Sequence, residues 1–179
     1  MLIKITSFDA LDTRKLMDVY AESNLLNTDY FYPEMQDKAE AVRRVEEGFL
    51  AFLRDEFFKA DGSAYWVLIE DGEWVAACRT SRIEPGFYYL EALETRPDER
   101  RKGYAVRLLN ELTAALKADG PFRFCDCVGK KNLASVKTHV KAGFFVASDP
   151  GFDFLQKETD PRDYGFAYAY DPSCGKETE

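Results

Sequence analysis

Apolar positions along the chain switch between two periods, and each switch marks an element. Residues 2–5 (Leu-Ile-Lys-Ile) open on a short strand-like run. Leu16, Val19 and Tyr20 then recur at helical spacing behind Asp9, whose carboxylate can cap that helix. Residues 24–33 break the pattern with a loop-like mix of acidic and aromatic groups (Asp29, Tyr30, Phe31, Tyr32). A long helix follows over about 34–59, with Val42, Val45, Phe49, Phe52 and Leu53 in register. The period then shortens. Strands are predicted at 65–69 and 74–81, joined at Asp71-Gly72, a dipeptide suited to the positive φ of a tight hairpin. A third strand covers 87–95 and stops at Pro97.

Beyond it Ala105, Leu108, Leu109, Leu112 and Leu116 form one helical stripe, ended by Asp119-Gly120-Pro121. Residues 122–128 read as a strand. A short helix over 132–142 ends at Gly143, a good left-handed stop. Further strands are expected at 144–146 with 154–156, and at 164–170. On that last strand Tyr164, Phe166, Tyr168 and Tyr170 share a face, as core residues do. The order β-α-α-β-β-β-α-β-α-β-β predicts one α/β domain, a mixed sheet flanked by helices. The expected domain is 1–170, with a frayed tail at 171–179.

Composition narrows the class. At 46% hydrophobic and 31% charged residues, the 179-residue chain is globular and long enough for one sizeable core. Its formal charge of −8 disfavours nucleic acid as a partner. No apolar run reaches the roughly 18 residues of a membrane span, and the first residues lack the parts of a secretory signal. A cytoplasmic protein is expected. The four cysteines show no Cys-x-x-Cys spacing, and the chain has one histidine, so no metal site is expected. Cys125 and Cys127 read as small core residues.

The run from Leu90 to Leu109 carries the chemistry. A strand meets a proline turn, then Arg100, Arg101 and Lys102, then Gly103, Tyr104 and Ala105 at the start of an amphipathic helix. A helix N-terminus exposes unpaired N–H groups and partial positive charge, which attract phosphate. Gly103 permits close backbone approach. A solvated basic turn that only closes the loop would show the same residues.

Arg100-x-x-Gly103-x-Ala105 resembles the Arg/Gln-x-x-Gly-x-Gly/Ala pyrophosphate motif of the GNAT N-acetyltransferases. Leu93-x-Thr95-x-Pro97 is similar to that family's Leu-x-Val-x-Pro strand end, with Thr for Val. Asn132-x-x-Ser135, His139 and Gly143-Phe144 are similar to its last motif, with His139 in place of a tyrosine. Element order agrees over nearly the whole chain. The resemblance implies a mostly antiparallel GNAT-like sheet and direct transfer of an acetyl group from acetyl-CoA to a primary amine in a ternary complex. A non-catalytic acyl-CoA-binding or regulatory module of the same fold is the alternative.

It further implies that the backbone at Leu93 and Thr95 pairs with the pantetheine arm. Amides of Arg101, Lys102, Gly103, Tyr104 and Ala105, with the Arg100 side chain, would hold the pyrophosphate. Asn132 and Ser135 would face the cofactor. Acyl transfer needs an uncharged nitrogen, a donor for the developing oxyanion and a proton for the thiolate. In a regular strand Tyr89, Glu91, Leu93 and Thr95 share a face, which makes Glu91 the candidate base and turns Glu94 away. Glu91 equally suits a structural pair with Arg79 or Arg82. Asn132, Ser135 and His139 line one stripe of the short helix, with Leu133, Val136 and Val140 expected on the core side. His139 thus stands where the family has its acid, or is a partly exposed histidine near a helix end. The acidic, aromatic loop with Asp29, Tyr30, Phe31, Tyr32 and Glu34 suits a cationic acceptor, a small molecule or peptide amine. The aromatic last strand is compatible with a homodimer interface.

Overall fold

Asp71 and Gly72 both take positive φ, 50° and 83°, and turn the chain back on itself as their sequence predicts. That hairpin starts a meander that builds most of the sheet. The computed structural model describes residues 1–173. Most of the expected tail, residues 174–179, lies outside the described residues. In chain order the elements are β1 (Leu2–Ile5), α1 (Thr13–Val19), α2 (Ala21–Phe31), α3 (Lys38–Asp55), β2 (Ala64–Glu70), β3 (Glu73–Glu84) and β4 (Phe87–Thr95). They continue with α4 (Tyr104–Lys117), β5 (Phe122–Gly129), α5 (Leu133–Lys141), β6 (Phe145–Ser148), β7 (Gly151–Asp153), β8 (Glu158–Asp160) and β9 (Asp163–Tyr170). Seven strands pair in the order β1-β2-β3-β4-β5-β9-β6, all antiparallel except β4 with β5. β7 and β8 form a separate small hairpin.

The sheet is covered on both faces, so its central strands read as near-continuous apolar runs. Trp66 and Leu68 of β2 pack toward Leu108, Leu109, Leu112 and Leu116 of α4. The alternate residues Tyr65 and Val67 pack toward Leu16, Val19 and Leu53 of α1 and α3. Phe166 of β9 is buried in the α4-side core, and Tyr164, Tyr168 and Tyr170 pack against it, the core role expected of that strand.

Four expectations need correction. The cap of α1 is Asp12, which accepts a hydrogen bond from the Lys15 N–H, while Asp9 lies in a short 3₁₀ turn. The expected loop at 24–33 is mostly helix α2. Its buried residues are polar, Asn24 and Thr28, while Leu25, Leu26 and Phe31 are exposed, so no apolar stripe announces it. The long helix starts only after its cap Asp37 and ends at Asp55. Residues 154–156 form the turn between β7 and β8 rather than a strand, because the Asp153 carboxylate accepts the N–H groups of Leu155 and Gln156.

The departure that matters most lies in β4. Ala77 of β3 faces Glu94, but Arg79 faces Glu91, so Ala92 and Leu93 together oppose one residue. Ala92 has φ 53°, the left-handed conformation of a β-bulge. The Tyr20 hydroxyl, between α1 and α2, donates to the Ala92 carbonyl at 2.5 Å and pins the bulge. Removing that donor leaves a half-buried acceptor unmet. Tyr20→Phe is expected to cost about 1–3 kcal/mol of stability, measured by denaturant unfolding. A loss below about 0.5 kcal/mol would show that the bulge holds without Tyr20.

Candidate active site

β4 and β5 run parallel for only three residue pairs, Phe87 with Arg123, Tyr88 with Phe124 and Tyr89 with Cys125. After that β5 pairs only with β9, and Leu90 to Thr95 have no strand partner on their β5 side. The two strands therefore splay into a cleft lined on one side by free β4 backbone, including the expected positions Leu93 and Thr95. Leu93 packs its side chain on the α4-side core.

The turn after β4 leads from this cleft to the start of α4. Gly103 caps α4 with φ 86°, and no side chain caps the helix. A Cβ built on Gly103 would meet nothing within 4 Å, so the space above the turn is open. Arg101 also takes positive φ, 65°, and is exposed with no ion pair among the described residues. The amides of Arg101, Lys102, Gly103, Tyr104 and Ala105 thus border open space, with partial positive charge from the helix start. Lys102 is paired with Glu99 at 2.7 Å. Arg100 is drawn the other way: it pairs with Glu22 of α2, and its Nη2 lies 3.8 Å from Glu94. An arriving phosphate would have to compete with these carboxylates for the guanidinium.

On the other side of β4 lies a cavity of about 930 Å³ between α2, α3 and the sheet. Glu91, Ala92 and Glu94 all line it, because the bulge rotates Glu94 onto the face of Glu91. The regular alternation expected from Glu91 to Thr95 is corrected here. Glu91 is engaged: Arg79 donates to it at 2.8 Å and Ser81 at 3.3 Å, so the pair with Arg79 foreseen as one of its two roles is present. Arg79 is in turn covered by the rings of Phe49, Phe52 and Phe57, 5.0–5.9 Å from its guanidinium carbon. Glu94 is held less firmly. Burial raises its pKa, against the lowering pull of Arg100, while Glu22 adds a further raise and the Ser23 side chain a small lowering.

Asn132 caps α5 through its side chain, accepting the Ser135 N–H; Asn132 is exposed and Ser135 half-buried. His139 does not follow them. It is 1% exposed, while Leu133 and Val140, expected inside, are 62% and 56% exposed. The helix is rotated so that His139 faces the core between Phe144 and Phe166. Its Nδ1 donates to the Ser135 carbonyl at 2.8 Å. Its Nε2 lies 2.7 Å from the Asp126 carboxylate of β5, close but off the ideal hydrogen-bond line. Since a carbonyl only accepts, Nδ1 carries a proton, and the facing Nε2 and carboxylate hold a second one between them. Burial pushes the His139 pKa down, but the Asp126 carboxylate outweighs it and the net direction is up. Burial raises the Asp126 carboxyl too.

Against known proteins, residues 22–144, more than half the chain, match the model of the acetyltransferase (GNAT) family. The chain belongs to the GNAT family. Solved GNAT structures share its fold. The PaiA N-acetyltransferase of Thermoplasma acidophilum, solved with coenzyme A, is 20% identical with TM-score 0.63, over 95% of this chain and 99% of that one. The Escherichia coli ribosomal-protein-S18-alanine N-acetyltransferase is 17% identical with TM-score 0.61, over 100% and 99%. The spermidine N-acetyltransferase of Vibrio cholerae, solved with coenzyme A and spermine, is 14% identical with TM-score 0.59, over 94% and 95%. No curated protein matches the sequence.

Among the described residues of this GNAT acetyltransferase, no group of three or more His, Cys, Asp or Glu is placed to hold a metal ion, and no helix is long and apolar enough to cross a membrane. Of the candidates Asp29, Tyr30, Phe31, Tyr32 and Glu34, only Phe31 and Tyr32 line the cavity; Asp29 turns out to Lys38 and Tyr30 is exposed. Glu94 and the Leu155–Gln156 turn, which also lines the cavity, were not foreseen. The Tyr89 hydroxyl ties Asp153 at the base of that turn to β4 at 3.1 Å. Glu94 was turned away only by the regular alternation assumed for its strand, which the bulge breaks.

The buried His139–Asp126 pair has a consequence for stability. His139 binds its proton more tightly folded than unfolded, so its contribution is fully present below the ordinary histidine value of 6.5 and is lost as pH rises through the higher folded value. The melting temperature should fall across that upper window, and His139→Gln should flatten the fall. An identical slope in the variant would remove the pair as its source.

Proposed function

We propose that this chain transfers the acetyl group of acetyl-CoA to a primary amine, on a small molecule or a peptide, within a ternary complex. The observation that carries the reading is the cleft where β4 leaves β5, continued by the uncapped start of α4, in a chain of the GNAT family. Acetyl-CoA supplies an acyl group activated as a thioester. The chain's residues suit its parts. Free backbone at Leu93 and Thr95 lies along the cleft for an extended amide-bearing arm, and the open amides of Arg101 to Ala105 suit a pyrophosphate. Arg100 would leave Glu22 to meet that charge. Asn132 and Ser135, at the start of α5 beside β5, would flank the arm.

The opposite face of β4 carries the acceptor. A backbone N–H at the bulge can donate to the acyl oxygen as negative charge develops there, in a site already organised by Tyr20. Glu91 and Glu94 share the cavity and can take the proton that the amine must lose. The His139–Asp126 proton is sealed in the core, with Ser135 between the ring and solvent. The departing thiolate is accordingly assigned a proton from water in the cleft, and His139 the role of fixing α5 against β5.

Coenzyme A should raise the melting temperature of the protein at saturating concentration, by mass action on the folded state. Gly103→Asp, which puts a side chain and a negative charge into the open turn, should abolish the shift, measured from the variant's own unliganded melting temperature, which the positive φ at this position lowers. No shift for the wild type, or an equal shift for the variant, would overturn the proposed cofactor cradle.

A further inference from the structure

The cavity beside Glu94 is walled largely by rings and aliphatic groups and opens to solvent. Tyr32 of the segment after α2, Phe49 and Phe52 of α3, Phe57 behind α3 and Leu155 of the β7–β8 turn face it. Its charges are nearly all spoken for. Arg79 and Glu91 neutralise each other at 2.8 Å. Arg44 bonds Glu40 on its own helix at 2.9 Å. Glu56 stands exposed at the edge. Glu94 alone combines partial burial with weak compensation, since Arg100 sits 3.8 Å away and engages Glu22 more closely.

Apolar walls with one under-compensated carboxylate define a complementary ligand. It has an apolar body that the rings cover and one positive charge that Glu94 receives. A polyamine fits this wall poorly, because each further ammonium group would need its own anion, and the inner cavity offers none that is free. An acidic amine would meet Glu94 as a like charge. The acidic loop that suggested a cationic acceptor from sequence turns its Asp29 away to Lys38.

We infer that the acceptor is a monoamine on an aromatic or bulky aliphatic body, and that Glu94 is the residue that binds its ammonium group and takes its proton. The inference rests on the acetyl-transfer reading and deepens it. The ammonium proton passes to a Glu94 carboxylate oxygen, and the freed nitrogen lone pair forms the bond to the acetyl carbon. As the carbon–sulfur bond breaks, its electron pair leaves on sulfur. The nitrogen's second proton goes to water, and water returns one to the thiolate. Glu91 keeps Arg79 in place beneath the rings and so acts as a positioning residue.

The test is a coenzyme A release assay on the full chain with acetyl-CoA and three amines: 2-phenylethylamine, spermidine and L-glutamate. Wild type is expected to show kcat/KM for 2-phenylethylamine at least tenfold above either other amine. Glu94→Gln should lower that value at least tenfold while its thermal shift with coenzyme A is kept. Faster turnover of spermidine or glutamate would overturn the acceptor class and leave acetyl transfer standing. Wild-type kcat/KM in Glu94→Gln would overturn the role of Glu94. No release with any of the amines, in a protein that coenzyme A still stabilises, would overturn the transfer reading itself. The wild-type comparison decides the acceptor class even if the variant does not fold.

Discussion

A strand that abandons its neighbour must satisfy its backbone elsewhere, and β4 does so after Tyr89. Backbone N–H and C=O groups are too costly to leave buried and unpaired, so a sheet opens only where something else is meant to occupy the gap. Here the gap lies between the second half of β4 and β5, at the parallel pairing of the sheet. The bulge at Ala92 sets how that half-strand presents its groups. It keeps β4 bonded to β3 on one edge while reorienting the residues that follow. Tyr20 fixes the bulge from the helical layer, so α1 and α2 are coupled to the cleft through one short hydrogen bond. The cofactor cradle and the acceptor cavity are then the two sides of a single strand.

Charge is distributed to the same end. The acidic chain places Arg100, Arg101 and Lys102 together at the turn, then restrains two of them with the carboxylates of Glu22 on α2 and Glu99 just before them. Pairs exposed to this extent contribute little to stability and are cheap to exchange for a phosphate. Arg100 touches both Glu22 and Glu94, so moving it would leave Glu94 with less compensation just as the amine must give up a proton. The buried His139–Asp126 pair belongs to a different economy. It joins α5 to β5 inside an aromatic core, where a lone charge would be costly and a shared proton offsets the burial.

Much of this was legible from residue order. The Asp71-Gly72 turn, the bounds of β4, the α4 stripe and the Gly103 start of α4 follow from local propensity, which acts within a few residues. The family motifs were legible for the same reason, since they sit in one strand, one turn and two helix starts. What escaped was set by tertiary contact. α2 buries Asn24 and Thr28 against α3, and a polar buried face leaves no apolar period to read. α5 turns His139 inward because Asp126 waits on β5, thirteen positions earlier in the chain, and no helical period encodes that partner. Glu94 faces the cavity because one extra residue in β4 reverses the alternation on which the choice of Glu91 rested.

The central claim is that the opened edge of β4 and the start of α4 form one cofactor surface. Amide hydrogen exchange measured with and without coenzyme A reads it residue by residue. The account predicts slowed exchange at β4 amides between Leu90 and Thr95 and at Arg101 to Ala105, with the β2–β3 hairpin unchanged. Protection confined to other segments, or none in either of these two on addition of saturating coenzyme A, would contradict it.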